Sequence, residues 1–216
     1  MPHSVDTASS QPAETTARRN LQKGQHTRAM LLDAALSLAS QLGLEGITIG
    51  ALAQMVDMSK SGVFAHFGSR EDLQIAIVDE YYRRFEATVF QPALALPRGL
   101  PRVRAMFENW IHLVATEEVQ SGCIFISGAV DFDDREGPVR TALQLAIDTW
   151  LQALVRAIEQ AVQEGHLHAD TDPHQMVFEV HGLILSAHYE VRFLHRPGAS
   201  ERIQRGFERI VRQFAV

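Results

Sequence analysis

The stretch VDMSKSGVFAHFGSR, Val56 to Arg70, holds two capping signals and a helix of about two turns. Asp57-Met58 interrupts the apolar pattern, Ser59 recaps, Val63 and Phe67 stand four apart on one face, and Gly68 stops the helix. Lys60, Ser61, Ala65 and His66 are left for the outer face. Ser69, with Asp72 three residues on, is a capping box that opens the next helix, REDLQIAIVDEYYRRFEATVF. A helix, a turn and a second short helix that starts on Ser or Thr form the layout of a helix-turn-helix DNA reader. Such a reader must be short enough for the major groove and anchored by apolar residues on one side. It must also be polar at its N-terminal end, where the helix dipole favours phosphate oxygens.

Working outward, TRAMLLDAALSLASQLG predicts a helix capped by Thr27, with Leu31, Ala35, Leu38 and Leu42 on one face and Gly43 at its end. Thr48 caps a second helix whose Ile49, Leu52, Ala53 and Val56 make an apolar stripe. Beyond Arg70, helices are predicted over about 101–119, 122–131, 138–164, 173–195 and 199–214, with Pro138 and Pro173 suited to first turns and Asp172 to a cap. Alternating strand patterns are nearly missing, so the fold class is all-α. Residues 1–25, rich in Ser, Thr, Ala, Gln and Pro, read as a disordered tail. Residues 26–72 read as a three-helix helix-turn-helix domain, and 73–216 as a larger helical ligand-binding and dimerisation domain.

Composition narrows the function. The 216 residues are 46% hydrophobic, enough to bury a core. The start lacks the apolar region of a signal peptide and no run suits a membrane span, so a soluble, cytoplasmic protein without a membrane partner is expected. One cysteine, Cys123, excludes an internal disulfide. The net charge of -6 argues against a chain that coats nucleic acid indiscriminately, yet residues 15–70 carry six cations, Arg18, Arg19, Lys23, Arg28, Lys60 and Arg70, against Asp33, Glu45 and Asp57. A small nucleic-acid-binding part joined to an acidic body fits that asymmetry. No nucleophile with a base, paired carboxylates or phosphate loop is recognisable, which argues against an enzyme and implies no cofactor.

Thr27 to Glu80 resembles the DNA-binding domain of the tetracycline-repressor (TetR) family of bacterial transcriptional regulators. SKSGVFAHF stands where that family commonly has Ser-Lys-Gly-Thr-Leu-Tyr-x-Tyr/His-Phe, and GSREDL matches the opening of its fourth helix. The resemblance implies an all-helical homodimer that leaves a palindromic double-stranded operator when a small-molecule effector enters the C-terminal domain. It assigns Thr27, Thr48, Ser59, Lys60, Phe64, His66 and Arg70 to DNA contacts, mostly phosphates, and sets Ser61, Gly62 and Ala65 near base edges. Arg18, Arg19 and Lys23 could add contacts from the tail. The sequence departs from the family at Asp57, where Gly is frequent, and at Gly62, Phe64 and Ala65, so base-reading side chains are few. Competing readings are an architectural DNA binder without an effector and a sensor built on Cys123.

In the body, Phe107, Trp110, Cys123, Phe125, Trp150, Phe178 and His181 are the candidates to line a ligand cavity between helices. Cys123, near a predicted helix N-terminus, could have a lowered pKa and react there, but a buried cysteine is most often an inert small hydrophobe. EGHLHADTDPHQ offers His166, His168 and His174, but it reads as a helix-helix turn, and no metal site is expected in the chain. By resemblance the last two helices form the dimer's four-helix interface, with Gly182, Leu183, Ser186, Tyr189 and Phe193 towards the partner.

Overall fold

The computed structural model describes residues 11–216, with side chains from residue 22 onward. The chain runs α1 (Gln11–Leu42), α2 (Ile49–Met55), α3 (Lys60–Phe67) and α4 (Arg70–Phe85), the last continued by a π-helical turn at Glu86–Phe90. After a 3₁₀ turn at Pro92–Ala95 come α5 (Leu100–Leu113), a π turn at Val114–Glu118, the single turn α6 (Val119–Ser121) and α7 (Ile124–Phe132). Then follow α8 (Pro138–Gln163), α9 (Pro173–Ala187) with a π turn at His188–Phe193, and α10 (Ala199–Phe214). Among the described residues the only β pairing is an isolated bridge between Leu167 and Ala215. No described helix is long and apolar enough to cross a membrane.

The predicted caps form. Thr48 Oγ1 accepts from the Ala51 amide at 3.0 Å, Ser59 Oγ from Gly62 at 3.1 Å and Ser69 Oγ from Asp72 at 3.0 Å. Asp72 is one methylene too short to complete a Glu-type capping box, and its Oδ2 instead accepts the Ser69 hydroxyl at 2.6 Å. Asp172 accepts from His174 and Gln175 ahead of α9, as expected. The first helix differs. It begins at Gln11, so Thr27 is not a cap but an interior residue whose hydroxyl donates back to the Lys23 carbonyl at 3.0 Å. Residues 11–25, expected as tail, are helical; they carry Ala, Glu, Gln, Leu, Lys and Arg, good helix formers that need no apolar partner. The first ten residues of the expected tail, and the side chains of Arg18 and Arg19, lie outside what is described. Two helices read as continuous, 101–119 and 173–195, widen into π turns at Val114 and His188.

Leu31, Ala35, Ile47, Leu52, Val63, Phe67, Leu73 and Ile77 bury the N-terminal unit, joining α1, α2 and α3 to the start of α4. Buried Gln74 ties the α1–α2 connection down by donating to the Leu44 carbonyl at 2.8 Å. Along its second half α4 enters the body and packs on α8. There Phe85 meets Phe90, Trp110, Phe125 and Trp150 edge-on or tilted, with ring centroids 5.0–6.0 Å apart. One continuous helix therefore spans both units.

Candidate functional site

The short helix α3 stands at the surface with Lys60, Ser61, Phe64 and Ala65 exposed, while Val63 and Phe67 are buried beneath it. Phe64 is 55% exposed, on the outer face of α3. Lys60 lies along the first turn of α2: a Cβ built on Gly50 would stand 3.1 Å from its Cε and 3.5 Å from its Nζ. The ammonium thus sits beside the free amides at the α2 N-terminus and the Thr48 hydroxyl, two features that favour the same phosphate. Asp57, in the turn, has φ 51°, the left-handed region that glycine enters freely and Asp tolerates. That explains why a residue other than Gly stands there. Gly62 is half-buried rather than at the outer edge, because a Cβ on it would meet Ser59 Oγ at 3.2 Å and Met58 Cε at 3.3 Å.

Two of the expected cations are occupied within the protein. Arg28 donates to the His66 carbonyl at 3.2 Å and lies 4.8 Å above the Phe67 ring, pinning α1 to α3. Arg70 donates to the carbonyls of Ile47, at 2.9 Å, and Glu45. It therefore holds the start of α4 against the lead-in to α2, which leaves less of it for DNA than its position in the sequence suggests. His66 is half-buried.

Behind this head, α1 and α4 are joined by Arg84, which pairs with Asp33 and donates to Glu80 at 2.7 Å. Arg83 also holds Glu80, and the hydrogen bond it gives is the largest cause of the Glu80 carboxyl falling to about 2. Beside the joint lies a cavity of about 340 Å³ lined by Asp33, Leu36 and Ser40 of α1, Tyr81 and Phe85 of α4, and Glu117 and Glu118 of the π turn. A second cavity, of about 580 Å³, is lined by Cys123, Ile126, His188, Tyr189 and Arg192 among others.

The family model described as "Bacterial regulatory proteins, tetR family" matches residues 31–77, which hold the whole α2–turn–α3 unit. A second, described as "Tetracyclin repressor-like, C-terminal domain", matches residues 99–207, half of the chain. The chain belongs to the tetracycline-repressor family. The HTH-type transcriptional regulator SrpR of Pseudomonas putida is 23% identical over 174 residues, 81% of this chain and 79% of that protein. A TetR-family regulator from Cytophaga hutchinsonii superposes with a TM-score of 0.78 at 19% identity, over 90% of this chain and 97% of that one. AibR, solved in complex with isovaleryl coenzyme A and operator DNA, superposes with a TM-score of 0.64 at 22% identity, over 87% and 97%. This TetR-family chain is a DNA-binding transcriptional regulator rather than an enzyme.

The aromatic residues expected around a ligand are mostly core in this family member. Phe107 is buried and stacks on Phe207 of α10 with centroids 3.9 Å apart, and Phe125 packs edge-on against Tyr81 and Phe85. Trp110 and Trp150 meet at 4.6 Å, with half-buried His181 stacked on Trp110 and edge-on to Trp150. Both indole N–H groups are buried without a hydrogen-bond partner. Phe178 is 72% exposed and points away from the body. Phe107, Trp110, Phe125, Phe178 and His181 line neither cavity; Trp150 borders a separate cleft of about 290 Å³, and Cys123 lines the 580 Å³ cavity. Sequence reasoning missed Asp33, Tyr81 and Glu118, which carry the joint and the smaller cavity. A Tyr and two acids on helical stretches gave no signal to set them apart.

Cys123 caps α7 but its thiol moves opposite to the lowering that a helix N-terminus favours. Burial, and then the charge of Glu118, push it up to about 12 against the weaker pull of the Tyr81 hydroxyl and of the Ile126 and Phe125 amides. A thiol held protonated is a poor nucleophile, which fits an inert buried cysteine rather than an electrophile sensor. Aromatic-disulfide titration of the native protein at neutral pH should therefore release chromophore far more slowly than after denaturation; equal rates would contradict the burial. In the histidine loop, His166 Nδ1 accepts from the Leu100 amide at 3.3 Å, and the His168 amide donates to Phe214 at 2.8 Å. That loop is a structural clasp between α5 and the C-terminus.

Proposed function

We propose that two copies of this regulator hold a palindromic operator, each with α3 in the major groove, and release it when a small molecule enters the cavity at the α1–α4 joint. The observation that carries the effector part is the ownership of the 340 Å³ cavity, whose walls belong to the head through α1, to the shared helix α4 and to the body through the Val114–Glu118 turn. A ligand there wedges one unit against the other without any longer relay. Lys60, Ser59 and Thr48 hold phosphates, and Ser61, Ala65, His66 and the exposed Phe64 face the bases, Phe64 and Ala65 suiting thymine methyl groups. Arg70 and Thr27 serve mainly to position the head, and Gly62 lets Met58 pack below α3.

The copies meet through α9 and its π turn, where Tyr189 and Phe193 stack edge-on at 5.5 Å with 65% and 72% of their surfaces exposed, and Phe178 is exposed earlier on the same helix. Gly182 and Ser186 are exposed on the same helix, whereas Leu183 packs partly onto Gly206 of α10. Exposed aromatics of this density mark a surface that is covered. The AibR complex joins operator DNA to an acyl coenzyme A ester, and that pairing supports the same two-ligand logic here, with the ligand's chemistry set by this chain's own cavity.

Lys60→Ala should weaken binding to all duplexes and lower the slope of log K against log salt by about one. Anisotropy titrations at several salt concentrations measure it, and an unchanged slope would remove Lys60 from the contacts. The effector part is tested by screening small molecules for thermal stabilisation and repeating the hits with operator DNA. A true effector raises the melting temperature and lowers operator affinity together; stabilisers that never alter operator affinity would oppose the reading.

A further inference from the structure

We propose that Glu118, Cys123 and His188 form a buried site for a borderline-soft divalent transition metal of the zinc type. The three residues come from separate pieces of chain: Glu118 ends the π turn after α5, Cys123 caps α7 and His188 opens the π turn after α9. One ligand atom from each lies within 4.8 Å of the other two, and all three residues are more than nine-tenths buried. Bond lengths of about 2.0–2.3 Å to oxygen, nitrogen and sulfur set ligand atoms about 3.3–3.8 Å apart in a tetrahedral site, so closure needs shifts of about 1 Å.

A second observation points to a cation. Glu118 Oε2 and His188 Nε2 stand 2.9 Å apart as a buried carboxylate–imidazole pair, and neither has a hydrogen-bond partner elsewhere. A buried pair with no further partner is costly, and one cation bound by both atoms after they spread apart would satisfy them. Neither Tyr81 nor Arg192 takes Oε2. Tyr81 donates its hydroxyl to Oε1 of Glu118 and so fixes the carboxylate with Oε2 turned towards His188. Arg192, the nearest guanidinium, donates to the carbonyls of Glu118 and Val119 at 3.0 and 2.9 Å rather than to the carboxylate.

The donor set chooses the ion. One thiolate, one imidazole and one carboxylate suit zinc and its neighbours and are poor for magnesium or calcium, which take oxygen ligands. Cys123 and His188 open onto the 580 Å³ cavity, which offers an entry path and room for a water in a fourth position. On binding, the metal takes the Cys123 sulfur electron pair as the thiol proton leaves to solvent, with no change of oxidation state. The bond would clamp the Val114–Glu118 turn, a wall of the effector cavity, to the turn that carries Tyr189 and Phe193. The site stands independently of the effector proposal, since operator binding by the metal-free protein leaves both its outcomes open.

The test uses full-length protein stripped with a chelator and titrated with Co2+. One equivalent per chain should give visible ligand-field bands of a tetrahedral ion together with a near-ultraviolet sulfur-to-cobalt charge-transfer band. Cys123→Ala should abolish the charge-transfer band, and His188→Gln should weaken Co2+ binding by about tenfold or more. Zinc should raise the melting temperature of the wild type but not of Cys123→Ala. No bands at one equivalent, or a charge-transfer band that survives in Cys123→Ala, would overturn the site. X-ray absorption of the zinc-loaded wild type keeps the test independent of how the variants fold: one sulfur among lighter ligands supports the site, and a shell without sulfur refutes it.

Discussion

Phe193→Asp is expected to leave the helical content of the protein intact, make it monomeric and cut operator affinity by about 10² to 10⁴. The ring is 72% exposed in the single chain, so its replacement removes little of the chain's own packing. In a two-copy assembly it would be covered together with Tyr189 and Phe178, and a carboxylate there would lose its water without gaining a partner. One head alone makes half the contacts and loses the effective concentration that ties the second head to its half-site. Sedimentation velocity and anisotropy on the same sample measure both effects. A variant that stays dimeric with undiminished affinity would move the interface away from the α9 turn.

Phe85→Ala should cost about 3–5 kcal/mol of folding stability, a large share of the ~5–15 kcal/mol typical of a domain. The residue is fully buried where α4 meets α5, α7 and α8, and its ring touches four other aromatic residues, Phe90, Trp110, Phe125 and Trp150. Removing it leaves a cavity that rigid neighbours cannot close, because the two indoles already hold each other edge-on. Urea denaturation followed by Trp fluorescence and by circular dichroism gives the loss. A cost under about 1 kcal/mol would mean that the body repacks freely and that Phe85 is not its centre.

The N-terminal unit is legible in the sequence because its determinants are local. A side-chain oxygen at Thr48, Ser59 or Ser69 meets an amide three residues on, and the Val63–Phe67 spacing fixes the buried face of α3 without knowledge of anything distant. Where distant chain decides, the sequence misleads. Arg70 sits next to the reading helix in sequence, yet its Nε and one Nη donate to the Ile47 and Glu45 carbonyls, while part of the guanidinium stays exposed. Phe107 looks like a pocket wall until Phe207 from the last helix stacks on it. Cys123 reads as an activated thiol from its helix N-terminus alone, but burial raises its pKa and the π turn adds the charge of Glu118 beside it. Phe178 carries the opposite error, an aromatic assigned to the interior that stands in the open on the face proposed to meet the second copy.

The central claim, that paired α3 helices read an operator, is tested most directly by selecting sites for the full-length protein from a random duplex library. The account predicts enrichment of an inverted repeat whose half-sites are spaced by a helical turn, about 34 Å, or a multiple of it. Enrichment should disappear with Phe193→Asp, and thymines should be favoured opposite Phe64 and Ala65. Recovery of sequences without inverted symmetry, or no enrichment over the starting library, would contradict it.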